Sequence, residues 1–265
     1  MIERNSSPPK IDADLKKTLK HLANEVYHFD SKIFRSVAIL LLKPGIMTQR
    51  VPDISNERLI NPFKLYLAIN FIFFLLIPVL VTPQFQVFNF NLNSFIESNQ
   101  HYQHIIEAEY TSKHISDAIY AERFNAHLKY NQPALVVVLI PIFALFVSFV
   151  QHWKKRSYLE HFDFATQVIT FFLVLLLLII ITFRIFTSLF NFSGHLEGIL
   201  AIGIVISGMI WFVVYLFLIN RNMYADTGYK AIIKVVLLFS GYLFIFSLYV
   251  QFLFFYTIVA LKLGY

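Results

Sequence analysis

Three groups of residues in this sequence have the types and spacing that chemistry uses. The first is Tyr158-Leu159-Glu160-His161, with Asp163 close behind, at the start of a long apolar run. Ionisable groups at a lipid boundary are costly unless paired, so they face protein or water. As a functional site, Tyr158, Glu160 and His161 would form a proton relay, a headgroup pocket or a gate. As structure, Glu160 would pair with Lys154 or Arg156, and Tyr158 would anchor the helix at the interface. Acid–base catalysis by Glu160 and His161 meets a geometric obstacle. Neighbours on one helix point about 100° apart, so the pair needs a third group.

The second group is His101-x-x-His104 with Glu107. On a helix these put two imidazoles and a carboxylate on one face, a set that binds zinc. A solvated polar face is the alternative, and the catalytic His-Glu-x-x-His form is absent. The third group is mechanical. Gly203-x-x-x-Ser207 is a pair of small residues that permits close helix packing. Pro141 removes one donor from a helical ladder and marks a kink or hinge.

Several chemistries lack their parts. The chain has no cysteine, which excludes disulfides, thiolate zinc sites, iron–sulfur ligation and cysteine nucleophiles. There is no phosphate-cradling glycine loop, no Gly-x-Ser-x-Gly elbow and no aspartate pair. No acidic residue lies at mid-membrane depth to couple a proton or sodium ion. The spans show no inverted repeat. No catalytic residue or cofactor is expected, and an enzyme is the weaker reading.

The elements that would position these residues are membrane helices. Of 265 residues, 57% are hydrophobic and 14% charged, against about 45–50% and about 25% in ordinary soluble domains. A helix crossing the hydrocarbon core needs about 20 mostly apolar residues. Five stretches qualify, at about 63–81, 134–150, 162–183, 199–219 and 231–261. They lack period-2 alternation, so the expectation is an all-α polytopic protein rather than a β-barrel. Residues 1–62 form an N-terminal segment, and 63–265 form the transmembrane domain.

Charge gives the orientation. Residues 1–64 hold eleven Lys/Arg, the 151–161 loop three and the 220–234 turn three, against five elsewhere. The positive-inside rule puts the N-terminus in the cytoplasm and the C-terminus outside. Residues 1–14 are polar, so the first span is expected to be its own insertion signal. The composition leans towards a bacterial inner membrane. Nothing interleaves basic and aromatic residues as a nucleic-acid module would.

Two segments lie outside the spans. Leu15, Leu19, Leu22, Val26, Phe29, Ile33 and Val37 recur at spacings of four and three, which predicts an amphipathic helix. With Lys16, Lys17 and Lys20 beside the stripe, this helix would lie on anionic lipid or pack beneath the spans. A short coiled coil that sets an oligomer is the second reading. Val37–Leu42 then meets the Lys43-Pro44-Gly45 stop and would dip into the interface. The other segment, 84–132, reads as an extracytoplasmic loop with helix between Ser94 and Lys129.

Four short motifs occur in order: Leu42-Lys43-Pro44-Gly45 and Arg58; Pro62-Phe63-Lys64-Leu65-Tyr66; Pro141-Ile142-Phe143-Ala144; and Tyr158-Leu159-Glu160-His161-Phe162-Asp163-Phe164. In order and spacing, over about residues 30–245, the chain resembles a bacterial integral-membrane family, the domain-of-unknown-function family 3667. The resemblance implies the membrane topology and no particular reaction. It departs from the family pattern in having no N-terminal cysteine zinc ribbon. It also has Gln167 where members often carry a histidine.

The expected function is a non-enzymatic membrane scaffold or accessory component. An oligomeric channel or passive transporter is the alternative, and an interfacial lipid-modifying enzyme comes third. The expected partners are the lipid bilayer, anionic lipid at the N-terminal helix, and another copy or another membrane protein. No nucleic acid is expected.

Overall fold

A computed structural model describes residues 32–48, 59–80, 106, 116–190 and 195–263, and all regular structure among them is helical. Helix α1 covers residues 32–42. It is followed by a turn at Gly45 (φ +84°) and a 3-10 turn, Ile46–Thr48. Five helices are long and apolar enough to cross a membrane: α2 (Pro62–Leu80), α3 (Asp117–Val150), α4 (Tyr158–Phe190), α5 (His195–Tyr224) and α6 (Gly228–Leu263). The chain is a multi-pass, all-α membrane protein. In hydrocarbon every backbone polar group must be satisfied within the segment, and a helix does that.

Helix α4 is the axis of the bundle. Of its most apolar stretch 72% is buried, against 28% to 33% for the other four. Its run from Phe164 to Leu177 is buried on every side, as expected of a helix that is hydrophobic all round. Helices α2, α3 and α5 pack on it, and α6 fills the groove between α3 and α5. Tyr242 of α6 ties these elements together. Its ring lies 5.4 Å from Phe143 of α3, 5.2 Å from Phe172 of α4 and 5.1 Å from Phe212 of α5. The outer helices turn large apolar residues away from the bundle: Phe71, Leu75 and Val79 on α2, and Ile199, Ile202, Ile206 and Ile210 on α5.

The helices overrun the apolar runs that mark them, most of all in α3. The sequence reading opens the second span at 134 and puts helix before it in a separate loop. The structure makes one helix of both. Ser116 caps its start, its hydroxyl accepting from the Ile119 N–H at 3.4 Å, and Asp117 occupies the first turn. A hydroxyl cap and an early carboxylate both stabilise a helix N-terminus. Tyr120, Phe124 and Leu128 form a buried stripe, and Phe124 stacks on Phe254 of α6 at 5.5 Å. This part of α3 is an amphipathic extension lying against the far end of α6.

Pro141 leaves its mark one turn upstream. Val136–Val138 tighten into a 3-10 turn, where the Leu139 N–H reaches both the Val136 and Val137 carbonyls. Pro141 has no N–H to offer the Val137 carbonyl, and the tightened turn lies immediately before it. Neighbouring helices serve the same region. The Asn70 amide donates to the Pro133 carbonyl at 2.9 Å, and the Tyr249 hydroxyl to the Gln132 carbonyl at 3.4 Å.

The Gly203 and Ser207 pair faces away from the other described helices. Gly203 has open space where a Cβ would stand, and Ser207 is exposed, its hydroxyl donating to the Gly203 carbonyl at 2.6 Å. Among the described residues no other helix packs against Gly203. That face of α5 points out of the bundle, and the close approaches fall elsewhere. At Gly208 a Cβ would meet Ile179, and at Gly241 it would meet the Phe146 ring.

Candidate functional site

The site grows from two short connections at one end of the bundle. Helix α3 stops at Val150, and Gln151 caps it, its N–H bonded to the Val147 carbonyl at 2.9 Å. A 3-10 turn, His152–Lys154, follows, and Lys155 takes left-handed backbone (φ 46°, ψ 38°) before α4 begins. Helix α5 ends similarly. Ala225 is left-handed (φ 52°), Gly228 also has positive φ, and α6 starts there. Asp226 lies between, buried at 7% exposure.

Asp226 is saturated with donors. The Lys154 ammonium lies 2.8 Å from its Oδ1. The Lys234 ammonium donates to Oδ1 at 3.1 Å and to Oδ2 at 2.9 Å. Gln151 Nε2 and Asn220 Nδ2 each reach Oδ2 at 3.4 Å. The amides are themselves connected. Gln151 Nε2 donates to Asn220 Oδ1 at 2.6 Å, and Lys234 donates to Gln151 Oε1 at 2.7 Å. Burial alone would raise the Asp226 carboxyl. Hydrogen bonds from Lys154 and Lys234, and then their charges, outweigh that and hold it below the usual carboxylate range.

The cluster also closes the end of α5. Lys154 donates to the Tyr224 carbonyl at 2.7 Å, and Arg156 to the Met223 carbonyl at 3.4 Å. Cations at a helix C-terminus satisfy its last carbonyls and oppose its dipole. The segment before the first span is fastened to the same place. Asn222 donates to the Pro44 carbonyl at 2.7 Å. A Cβ at Gly45 would stand 3.2 Å from both Asn222 and Met223, so the chain approaches α5 closely there. The Ser36 hydroxyl of α1 accepts from the Ile60 N–H at 3.1 Å.

The structure divides the Tyr158, Glu160 and His161 group. Glu160 faces outward and pairs with Arg156 at 3.1 Å, both half-exposed. His161 faces inward at 2% exposure, its Nδ1 2.7 Å from the Tyr224 hydroxyl. The Tyr158 hydroxyl donates to the Pro141 carbonyl at 3.3 Å. Adjacent in sequence, Glu160 and His161 serve different partners. Among the described residues, no group of three or more His, Asp or Glu side chains is placed to hold a metal ion. His101, His104 and Glu107 lie outside the described residues, as does the amphipathic stripe from Leu15 to Phe29.

Comparison with known proteins is negative throughout. No family model, no curated protein and no solved structure matches this chain.

Asp226, Asn220 and Tyr224 are absent from the sequence reading. A usable signal was present. Asp226 is the one carboxylate after Glu197, and Lys234 sits one turn inside an apolar run. An intramembrane lysine calls for a partner, and Asp226 is the nearest acid in sequence. Chemically, a carboxylate with all its lone pairs engaged is a poor base. Two ammonium groups against one carboxylate make the site a clamp with net positive charge.

Proposed function

We propose that this protein is a non-enzymatic membrane scaffold or accessory component, a helical base that holds its N-terminal segment at the membrane surface. One observation carries this reading. The 32–48 segment is fastened to the C-terminal end of α5 through Asn222, Gly45 and Pro44, beside the Asp226 clamp. Several hydroxyls of the bundle support it, because they are committed to structural bonds. Thr166, Thr170 and Thr257 donate to carbonyls one turn back in their own helices. Among the described residues, α4 is buried and wholly apolar from Phe171 to Leu177, which offers an ion no polar ligand along that stretch.

The basic end would face the cytoplasm of a bacterial inner membrane, by the positive-inside rule. Membership of family 3667, on the motifs given above, belongs to the same proposal. Solute and ion flux in proteoliposomes is the test, comparing wild type with the Glu160→Gln/His161→Ala double variant. The scaffold reading expects no flux from either protein across a broad panel. Flux in wild type that the folded double variant abolishes would replace it with a channel gated at that mouth.

A further inference from the structure

The clamp leaves cationic donors unspent, and their arrangement points to a ligand. Lys234 uses all three of its N–H donors within the cluster, on Gln151 and both oxygens of Asp226. Lys154 uses two, on Tyr224 and Asp226, and its side chain is 32% exposed. Arg156 meets Glu160 and one carbonyl with a guanidinium that has five donors. Around them Lys155, Arg221 and Lys230 are exposed, with no acid partner among the described residues. Trp153, in the turn before α4, and Tyr229, in the first turn of α6, stand exposed at 79% and 69%. Amphipathic aromatics beside lysine and arginine, at the end of an apolar bundle, mark headgroup depth.

We propose that this end of the bundle seats the phosphate diester of an anionic glycerophospholipid. Lys154 and Arg156 form the floor, Lys155, Arg221 and Lys230 the rim, and Trp153 flanks the acyl–headgroup boundary. Asp226 orders the floor by fixing Lys154 in place. Two cations on one carboxylate leave a positive charge for the lipid to neutralise. This seat is built from residues other than Lys16, Lys17 and Lys20 and does not depend on the scaffold reading.

The chain has two tryptophans, so Trp211→Phe leaves Trp153 as the sole tryptophan donor, excited selectively over tyrosine. The full chain carrying that substitution goes into zwitterionic vesicles with a trace of dansyl-labelled phosphatidylglycerol or dansyl-labelled phosphatidylcholine. Energy transfer to the anionic lipid should exceed that to the zwitterionic one, and unlabelled phosphatidylglycerol should compete it away. Removing rim cations should weaken the preference about fivefold each. It should vanish in Lys155→Gln/Arg221→Gln/Lys230→Gln, a protein expected to stay folded. Three results would overturn the proposal. These are equal transfer to both lipids, a preference that the rim variant keeps but Lys16→Gln/Lys17→Gln/Lys20→Gln loses, and displacement of the lipid by inorganic phosphate.

Discussion

Replacing Asp226 with asparagine keeps the side-chain shape and removes the one negative charge that two lysines share. Their responses should differ. The Lys154 side chain is 32% exposed and that of Lys234 is 17% exposed. Lys154 can turn to water, so its share resembles a surface pair, at about 0–1 kcal/mol. Lys234 would remain an uncompensated charge among Gln151, Asn220 and the start of α6. Breaking a buried pair in that way costs about 3–5 kcal/mol. The partial exposure of Lys234 places the expected loss near the lower end, about 3 kcal/mol, or two orders of magnitude in the unfolding equilibrium.

Reversible unfolding in mixed micelles against a rising fraction of denaturing detergent reads this loss. If unfolding is irreversible, the half-life at fixed temperature replaces it. The decisive comparison adds Lys234→Met. Alone it leaves Asp226 paired with Lys154 and should cost about 1 kcal/mol. Combined with Asp226→Asn it removes the stranded charge, so the double variant should be more stable than Asp226→Asn alone. The coupling between the two sites should be about 2 kcal/mol. A loss under about 1 kcal/mol for Asp226→Asn, or strict additivity in the double variant, would refute the clamp.

Three further outcomes follow from the same geometry. The Asp226 carboxyl is held below its ordinary value, so its contribution is complete above about pH 4. It should decline as pH falls through the folded-state value, and an acid titration of stability should lose that component in Asp226→Asn. Gly241→Ala pushes a methyl into the Phe146 ring, while Gly203→Ala meets open space. The first should destabilise by about 1–3 kcal/mol and the second by less than about 0.5 kcal/mol, measured by the same unfolding. Ala225→Gly relieves a left-handed residue (φ 52°) and should be neutral to about 1 kcal/mol stabilising. A clear loss would mean that the Ala225 methyl packs usefully.

The five spans were legible because uninterrupted apolar runs such as Phe171–Ile181 have one solvent that suits them. Their ends were less so, because a helix does not stop where hydrocarbon stops. Helix α3 continues outward on Tyr120, Phe124 and Leu128, and the stripe is visible in sequence. That it lies on α6 is decided by a partner about 130 residues away, Phe254. The crowding of Tyr158, Glu160 and His161 was also readable. Its division was not, since it depends on Tyr224 arriving beside His161 and Arg156 staying beside Glu160. The orientation of the small pair at Gly203 and Ser207 was unreadable for a related reason. Spacing shows that a face is smooth, and it does not say which way the face points.

Helix dipoles explain why the charges gather at this end. Helices α3 and α5 finish there, and α4 and α6 begin there. Finishing helices present unpaired carbonyls and starting helices unpaired N–H groups, so the first pair calls for cations and the second for anions. The residues match. Lys154 and Arg156 meet the last carbonyls of α5, and Arg221 occupies its last turn. Glu160 lies in the first turn of α4, and Asp226 stands just ahead of α6. Lys154 therefore serves three ends together, following α3, covering α5 and pairing with the acid that precedes α6. A cation bound in that way is fixed in position but retains its charge. That combination suits an electrostatic seat for a membrane phosphate better than a proton carrier, which has to give up its bonds in order to work.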